Sequence, residues 1–222
     1  MQQISNINSE LLQILTNFSD WFFSQDLEKE GLHPEEKNKN GPHAGLYATS
    51  EEYLRKILWN PIEKHGFPEY MYGAVMENNV PERELQPKHF RAKCDSLDKD
   101  LITYFGARNN ALRAYYPKNG YIGWHHNGNA PGNNIILTFN PEGDGEFLHY
   151  DHINDVIHCH KDLKGKWFAK VGYFGDSSKE PDKIYWHAAR TKSPRITISY
   201  IVPNVKLWQS MIDDIGIPDK DI

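Results

Sequence analysis

The chain has 222 residues, 39% of them hydrophobic and 25% charged, which fits one compact domain with a sizeable core. Six Trp, twelve Tyr and ten Phe exclude disorder as its main character. Thirty acidic against 25 basic residues, a formal charge of -5, argue against a scaffold that grips long nucleic acid. Only Cys94 and Cys159 are present, so neither a disulfide framework nor a CxxC zinc pair is available. The N-terminus lacks a basic start followed by an apolar run, and no stretch approaches the roughly 20 apolar residues of a membrane span. The expectation is a cytoplasmic protein with no membrane part.

The first hundred residues read as helical. Leu11, Leu15, Phe18 and Phe22 form one stripe at helical spacing, with Asn8 or Ser9 as cap. A second helix is predicted from Thr49, with Glu52 completing a capping box and Leu54, Ile57 and Leu58 on one face, ending near Pro61. Residues 27–47, polar and broken by Gly and Pro, read as a long loop. A third helix is predicted over Ser96–Phe105.

From about residue 110 short runs of β-branched and aromatic residues alternate with Gly, Pro, Asn and Asp. Eight strands are predicted, near Leu112–Tyr116, Ile122–His126, Ile135–Phe139, Phe147–Asp151, Val156–His160, Phe168–Tyr173, Ile184–His187 and Ile196–Val202. The pattern predicts an α+β fold, a jelly roll or double-stranded β-helix with N-terminal helices packed on one face. The expected division is a single domain, with a helical part over 1–108, the jelly-roll core over 109–204 and a C-terminal helix over 205–222.

Of eleven histidines, position selects a few. His125 and Asn127 lie two apart at a strand end and should face the same way. His187 follows 62 residues later and Arg195 eight after that. A jelly-roll mouth can bring such strand ends together around one cation, a geometry suited to a non-haem iron triad that leaves one face open. In the run RITISYIV, Arg195, Thr197 and Ser199 share a face. A guanidinium on the inward side of a barrel demands an anion. The implied ligand is an organic acid reaching from metal to arginine; the plain alternative is an ion pair with an acid such as Asp151 or Asp144. A second cluster, His149, Asp151, His152, His158 and His160, contains its own HxD and reads as exposed strand residues, a second metal being the minor alternative.

The segment Leu112–Val202 resembles the iron(II)- and 2-oxoglutarate-dependent oxygenases, in particular their prolyl 4-hydroxylase-like and nucleobase-dealkylating branch. Tyr116 stands nine residues before His125, GDGEFLHYD takes the place of a GGxFxF-type turn, and His187 precedes the basic Arg195. The resemblance covers about ninety residues and implies Fe(II) and 2-oxoglutarate as cofactors. His125, Asn127 and His187 would bind the metal, and Arg195 would hold the distal carboxylate with Thr197 and Tyr116 assisting. The family's HxD is His125-His126-Asn127 here, so an amide stands where the carboxylate ligand is expected, which lowers the expected iron affinity. A shifted reading uses His126 with Asn129, but the Tyr116 spacing favours His125. The activity implied is hydroxylation of a C–H bond in a small-molecule, peptide or nucleotide substrate, with Trp124, Tyr185, Trp186 and Arg190 at the mouth. Two other classes remain: a degenerate jelly roll that binds without turnover, and a cupin-like metalloprotein.

Overall fold

A computed structural model describes residues 1–37, 44–59, 66–76, 86–107, 110–128, 130–202 and 205–219. Before the core come β1 (Gln2–Ile4), β2 (Asn6–Ile7), α1 (Ser9–Phe23), β3 (Glu35–Lys37), α2 (Ala44–Ala48), α3 (Glu51–Trp59), β4 (Met71–Val75) and α4 (Lys88–Phe105). Asn8 caps α1 by accepting from the Glu10 N–H at 2.9 Å. The cap of α3 is Ser50, whose hydroxyl accepts from the Tyr53 N–H; Thr49 instead donates to the Gly45 carbonyl. Gly106, in the left-handed region at φ 57°, ends α4.

The core strands are β5 (Asn110–Tyr116), β6 (Tyr121–His125), β7 (Gly132–Phe139), β8 (Glu146–Asp151), β9 (Val156–Lys161), β10 (Trp167–Phe174), β11 (His187–Arg190) and β12 (Arg195–Val202), followed by α5 (Val205–Ile215) and β13 (Gly216–Ile217). Their order is β10-β7-β12-β5 in one half and β6-β11-β8-β9 in the other, all antiparallel. Consecutive strands thus cross from one half to the other, except β8 to β9, which form a hairpin. This is the jelly-roll winding. The first half is extended by β1 alongside β10, and β4 pairs with both β5 and β6 to join the halves along one side.

Sequence expectation and structure agree on the eight core strands with one shift: the seventh begins at His187 instead of ending there. The N-terminal part is less helical than its composition suggests, because β1, β3 and β4 belong to the sheet. Within residues 27–47, read as loop, lie β3 and α2. Helix α4 starts eight residues earlier than Ser96.

Alternation along each strand divides its side chains between an inner and an outer face. On the first half, the outer residues Leu137, Ala169, Ile198 and Tyr200 pack under the apolar stripes of α1 and α4. On the second half, Tyr121, Trp124, Leu148 and Ala188 are covered by α2 and α3. Helical cover therefore lies on the expected face and on the other one as well. Between the halves lies a third layer that includes Ala114, Tyr116, Ile136, Phe147 and Phe174. That interior holds the candidate site.

Candidate active site in the jelly-roll interior

His125 ends β6 and His187 opens β11, and the two are register partners. A bulge sets their direction. From His187 to Ala189 the partner on β6 moves from His125 to Ile122, one residue more than on β11, so Ile122 and His125 both turn inward. Trp124 goes outward, where its indole N–H donates to the Ser50 carbonyl at 2.9 Å. Gly123 permits this, since a Cβ there would press on the Tyr70 and Ala48 carbonyl oxygens at 3.1 and 3.2 Å.

The imidazole centroids of His125 and His187 are 4.1 Å apart with planes inclined by 50°, and the residues are 4% and 6% exposed. In each ring Nδ1 lies against a backbone carbonyl, of Gly123 at 2.8 Å and of Tyr185 at 2.9 Å. A carbonyl only accepts, so Nδ1 carries the proton and Nε2 presents its lone pair, the arrangement that orients metal-binding histidines. Burial pushes His125 down to about 4 and His187 well below the ordinary value, with the neighbouring imidazoles acting the same way. Both rings are thus neutral at pH 7, as ligands must be. In the unfolded chain they titrate near 6.5, so below that value the unfolded state holds more protons. Ligand-free stability should fall as pH drops from about 6.5 towards 4, read as a lower urea midpoint at pH 5 than at pH 7.5.

Asn127 lies beyond the strand with φ 47°, a left-handed conformation that Asn tolerates. Its N–H donates to the Gly66 carbonyl at 2.9 Å. Alternation does not extend to it, yet it lines the same narrow cavity as the two histidines, as do Tyr116, Arg195 and Thr197. All six sequence-predicted site residues therefore meet in one space. The space is about 40 Å³, so a ligand longer than a few atoms must displace side chains within it. Among the described residues no three His, Cys, Asp or Glu side chains are grouped to hold a metal ion; the donor set is two imidazoles and one amide.

Arg195 departs from expectation. It is 1% exposed, and its partner is neither Asp151 nor Asp144 but Asp162, at the end of β9. Nε donates to Asp162 Oδ2 at 2.7 Å and Nη2 to Oδ1 at 3.4 Å, while Nη1 donates to Thr197 Oγ1 at 2.6 Å. Gly145 lets the carboxylate approach: a Cβ there would collide with Asp162 Oδ2. Asp144 is used elsewhere, accepting from the Ser193 hydroxyl at 2.6 Å, and Asp151 caps the β8–β9 turn by accepting from the Ile153 N–H. The Arg195 guanidinium carbon lies 5.8 Å from the Tyr116 ring centroid, and burial raises the Tyr116 phenol to about 12, so its hydroxyl stays protonated.

His149 and His160 are half-buried on the same face as the site, since His149 is also a register partner of His187, while His158 on that face is exposed, as expected. Their rings stack at 4.7 and 5.0 Å with planes 12° and 18° apart. His160 Nε2 and His149 Nδ1 share a hydrogen bond at 3.1 Å. Ring contacts and this hydrogen bond hold the three imidazoles together, and among the described residues they are not grouped to hold a metal ion. Of the residues expected at the mouth, Tyr185 alone turns inward, stacking on Phe174 at 5.0 Å and His149 at 5.2 Å. Trp186 packs edge-on against His126 on the outer side. Arg190 lies at the opposite end of β11, paired with Glu146 at 2.7 Å, beside a cavity of about 1130 Å³ that Lys118, Lys161 and Lys192 also line. In the shifted reading, His126 Nδ1 accepts from the Gly128 N–H at 2.9 Å and Asn129 is outside the described residues.

No family model and no curated protein matches the sequence. Solved structures do overlap with the chain, loosely. A prolyl-4-hydroxylase from Pseudomonas putida shares 12% identity over 81% of this chain and 96% of that one, with a TM-score of 0.32. A 2OG-Fe(II) oxygenase family oxidoreductase from Burkholderia pseudomallei shares 14% over 69% and 80%, at 0.33. A cupin domain from Bordetella pertussis shares 10% over 42% and 79%, at 0.29.

Sequence reasoning missed Asp162, Phe147 and Lys170. Asp162 stands in a polar turn, with nothing local to mark it as the partner of a residue 33 positions on. Lys170 had a signal: in WFAKVGYF it shares a face with Phe168 and Phe174, the argument that singled out Arg195.

Proposed function

We propose that the protein is an iron(II)- and 2-oxoglutarate-dependent dioxygenase that hydroxylates a C–H bond. One observation carries this reading: a single cavity is lined both by two neutral imidazoles whose Nδ1 atoms are tied to backbone carbonyls and by a hydrogen-bonded guanidinium. His125 and His187 would hold the metal through Nε2 and Asn127 through its amide oxygen. Tyr116, Arg195 and Thr197 form the polar end that receives the distal carboxylate. Leu112, Ile122, Ile136, Phe147 and Ala189 wall the space between and exclude water from it. Iron(II) bound here with 2-oxoglutarate would supply the oxidising chemistry, with dioxygen consumed and succinate and carbon dioxide released. Succinate formation in the presence of iron(II), 2-oxoglutarate and oxygen tests the reading, and its absence from folded protein across a broad substrate screen would reject turnover.

The neutral Asn127 side chain favours a second reading, a jelly roll that binds a carboxylate without turnover. Asn127→Asp separates the two through the metal. A carboxylate beside two neutral imidazoles should tighten divalent metal binding about tenfold or more, measured by competition against a fluorescent chelator. An unchanged affinity would remove residue 127 from the donor set.

A further inference from the structure

Lys170 is a buried cation that the proposed chemistry leaves unused. It is 1% exposed in the middle of β10, and its ammonium has no hydrogen-bond partner among the described residues. Nζ lies 4.1 Å from the ring centroid of Phe168 and 5.2 Å from that of Phe147, a wall of the candidate cavity. Its register partner Ile136 lines that cavity too. One strand away on the same face, Thr138 is fully buried, and its hydroxyl likewise lacks a partner; Thr138 pairs with Phe168 on one side and Thr197 on the other.

Among the described residues the charges within the barrel do not balance. The carboxylate that bears on Lys170 is Asp162, and Asp162 is already held by Arg195 and the Asn140 amide. Arg195 and Asp162 neutralise each other, leaving Lys170 as the surplus. An ammonium in apolar surroundings without an acceptor is strongly disfavoured, and burial pushes this amine down to about 7. An incoming anion would relieve both defects, giving Lys170 a counter-ion and the Thr138 hydroxyl an acceptor.

We propose that Lys170, with Thr138, supplies the net positive charge that seats the distal carboxylate of the diacid, and that Arg195, fixed by Asp162, is its positioning neighbour. This rests on the reading of the cavity as a 2-oxoglutarate site. Asp162 thereby makes the polar end selective: it cancels the Arg195 charge, so affinity for a second carboxylate depends on Lys170. The test is calorimetric titration of the manganese(II)-loaded full chain with 2-oxoglutarate and with pyruvate, which has the same keto acid head and no distal carboxylate. Lys170→Met should leave the melting temperature of the ligand-free protein unchanged or raise it, since it removes an unpartnered polar group. It should also weaken 2-oxoglutarate binding at least tenfold and leave pyruvate binding unaltered. Thr138→Val, close to isosteric, should weaken 2-oxoglutarate binding about threefold and provides the readout should Lys170→Met fail to fold. Wild-type affinity in Lys170→Met, or in Thr138→Val where that variant stands in for it, overturns the role of Lys170 while the diacid site stands. No 2-oxoglutarate binding by the wild-type chain overturns the site and this inference together.

Discussion

Arg195→Met should destabilise the fold by about 3–5 kcal/mol, the usual penalty for removing one partner of a buried ion pair. The side chains of Arg195 and Asp162 are 1% and 0% exposed, so the substitution leaves a carboxylate inside the barrel with the Asn140 amide, at 3.3 Å, and the charge of Lys170, not in ion-pair contact with it, to compensate it. The double substitution Arg195→Met, Asp162→Leu should recover most of the loss, because replacing a whole buried pair with apolar side chains is commonly neutral or stabilising. Urea denaturation of the three proteins measures this, and a single variant within about 1 kcal/mol of wild type would show that Asp162 carries no stranded charge. A lost ligand affinity in Arg195→Met alone therefore reports folding as much as recognition. The double variant and Lys170→Met report recognition more cleanly.

His187→Ala should weaken divalent metal binding by about 100-fold or more, since even groups that only orient a ligand cost about 10–100-fold when removed. His125→Ala should behave alike. The equivalence follows from the geometry: both rings are buried, both tie Nδ1 to a backbone carbonyl, and their centroids are 4.1 Å apart. His149→Ala, in the neighbouring stack, should leave metal affinity within about threefold, because its Nδ1 is turned to His160 and it holds no ligand position. Competition titrations with manganese(II) or iron(II) measure all three. A His149→Ala loss as large as that of His187→Ala would move the metal site into the stack.

The sequence made legible those features written in local periodicity. The stripe Leu11, Leu15, Phe18, Phe22 is buried on α1, and the alternating runs became eight core strands because turn residues bound each one. Alternation also placed Arg195 and Thr197 on the inner face. Features that depend on pairing between distant segments were not legible. The bulge at Gly123 and Trp124 that aims His125 inward arises from the β6–β11 register, and β4 is a five-residue segment recognisable only by its pairing with β5 and β6. Asp162 and Arg195 meet because β9 and β12 end at the same rim, which no spacing rule reveals. His149 and His160, read as exposed, are half-buried on the interior face because β8 lies beside β11, whereas His152 and His158 are exposed as read.

The central claim is that a metal at the His125–His187 pair and a diacid seated towards Arg195 and Lys170 occupy one continuous space. Anaerobic titration of the purified protein with iron(II) and 2-oxoglutarate tests it most directly, followed by visible absorption. A charge-transfer band that grows with 2-oxoglutarate, and is absent from the His187→Ala protein, is the expected result. Folded protein that binds iron(II) and yet develops no such band at saturating 2-oxoglutarate would contradict the account.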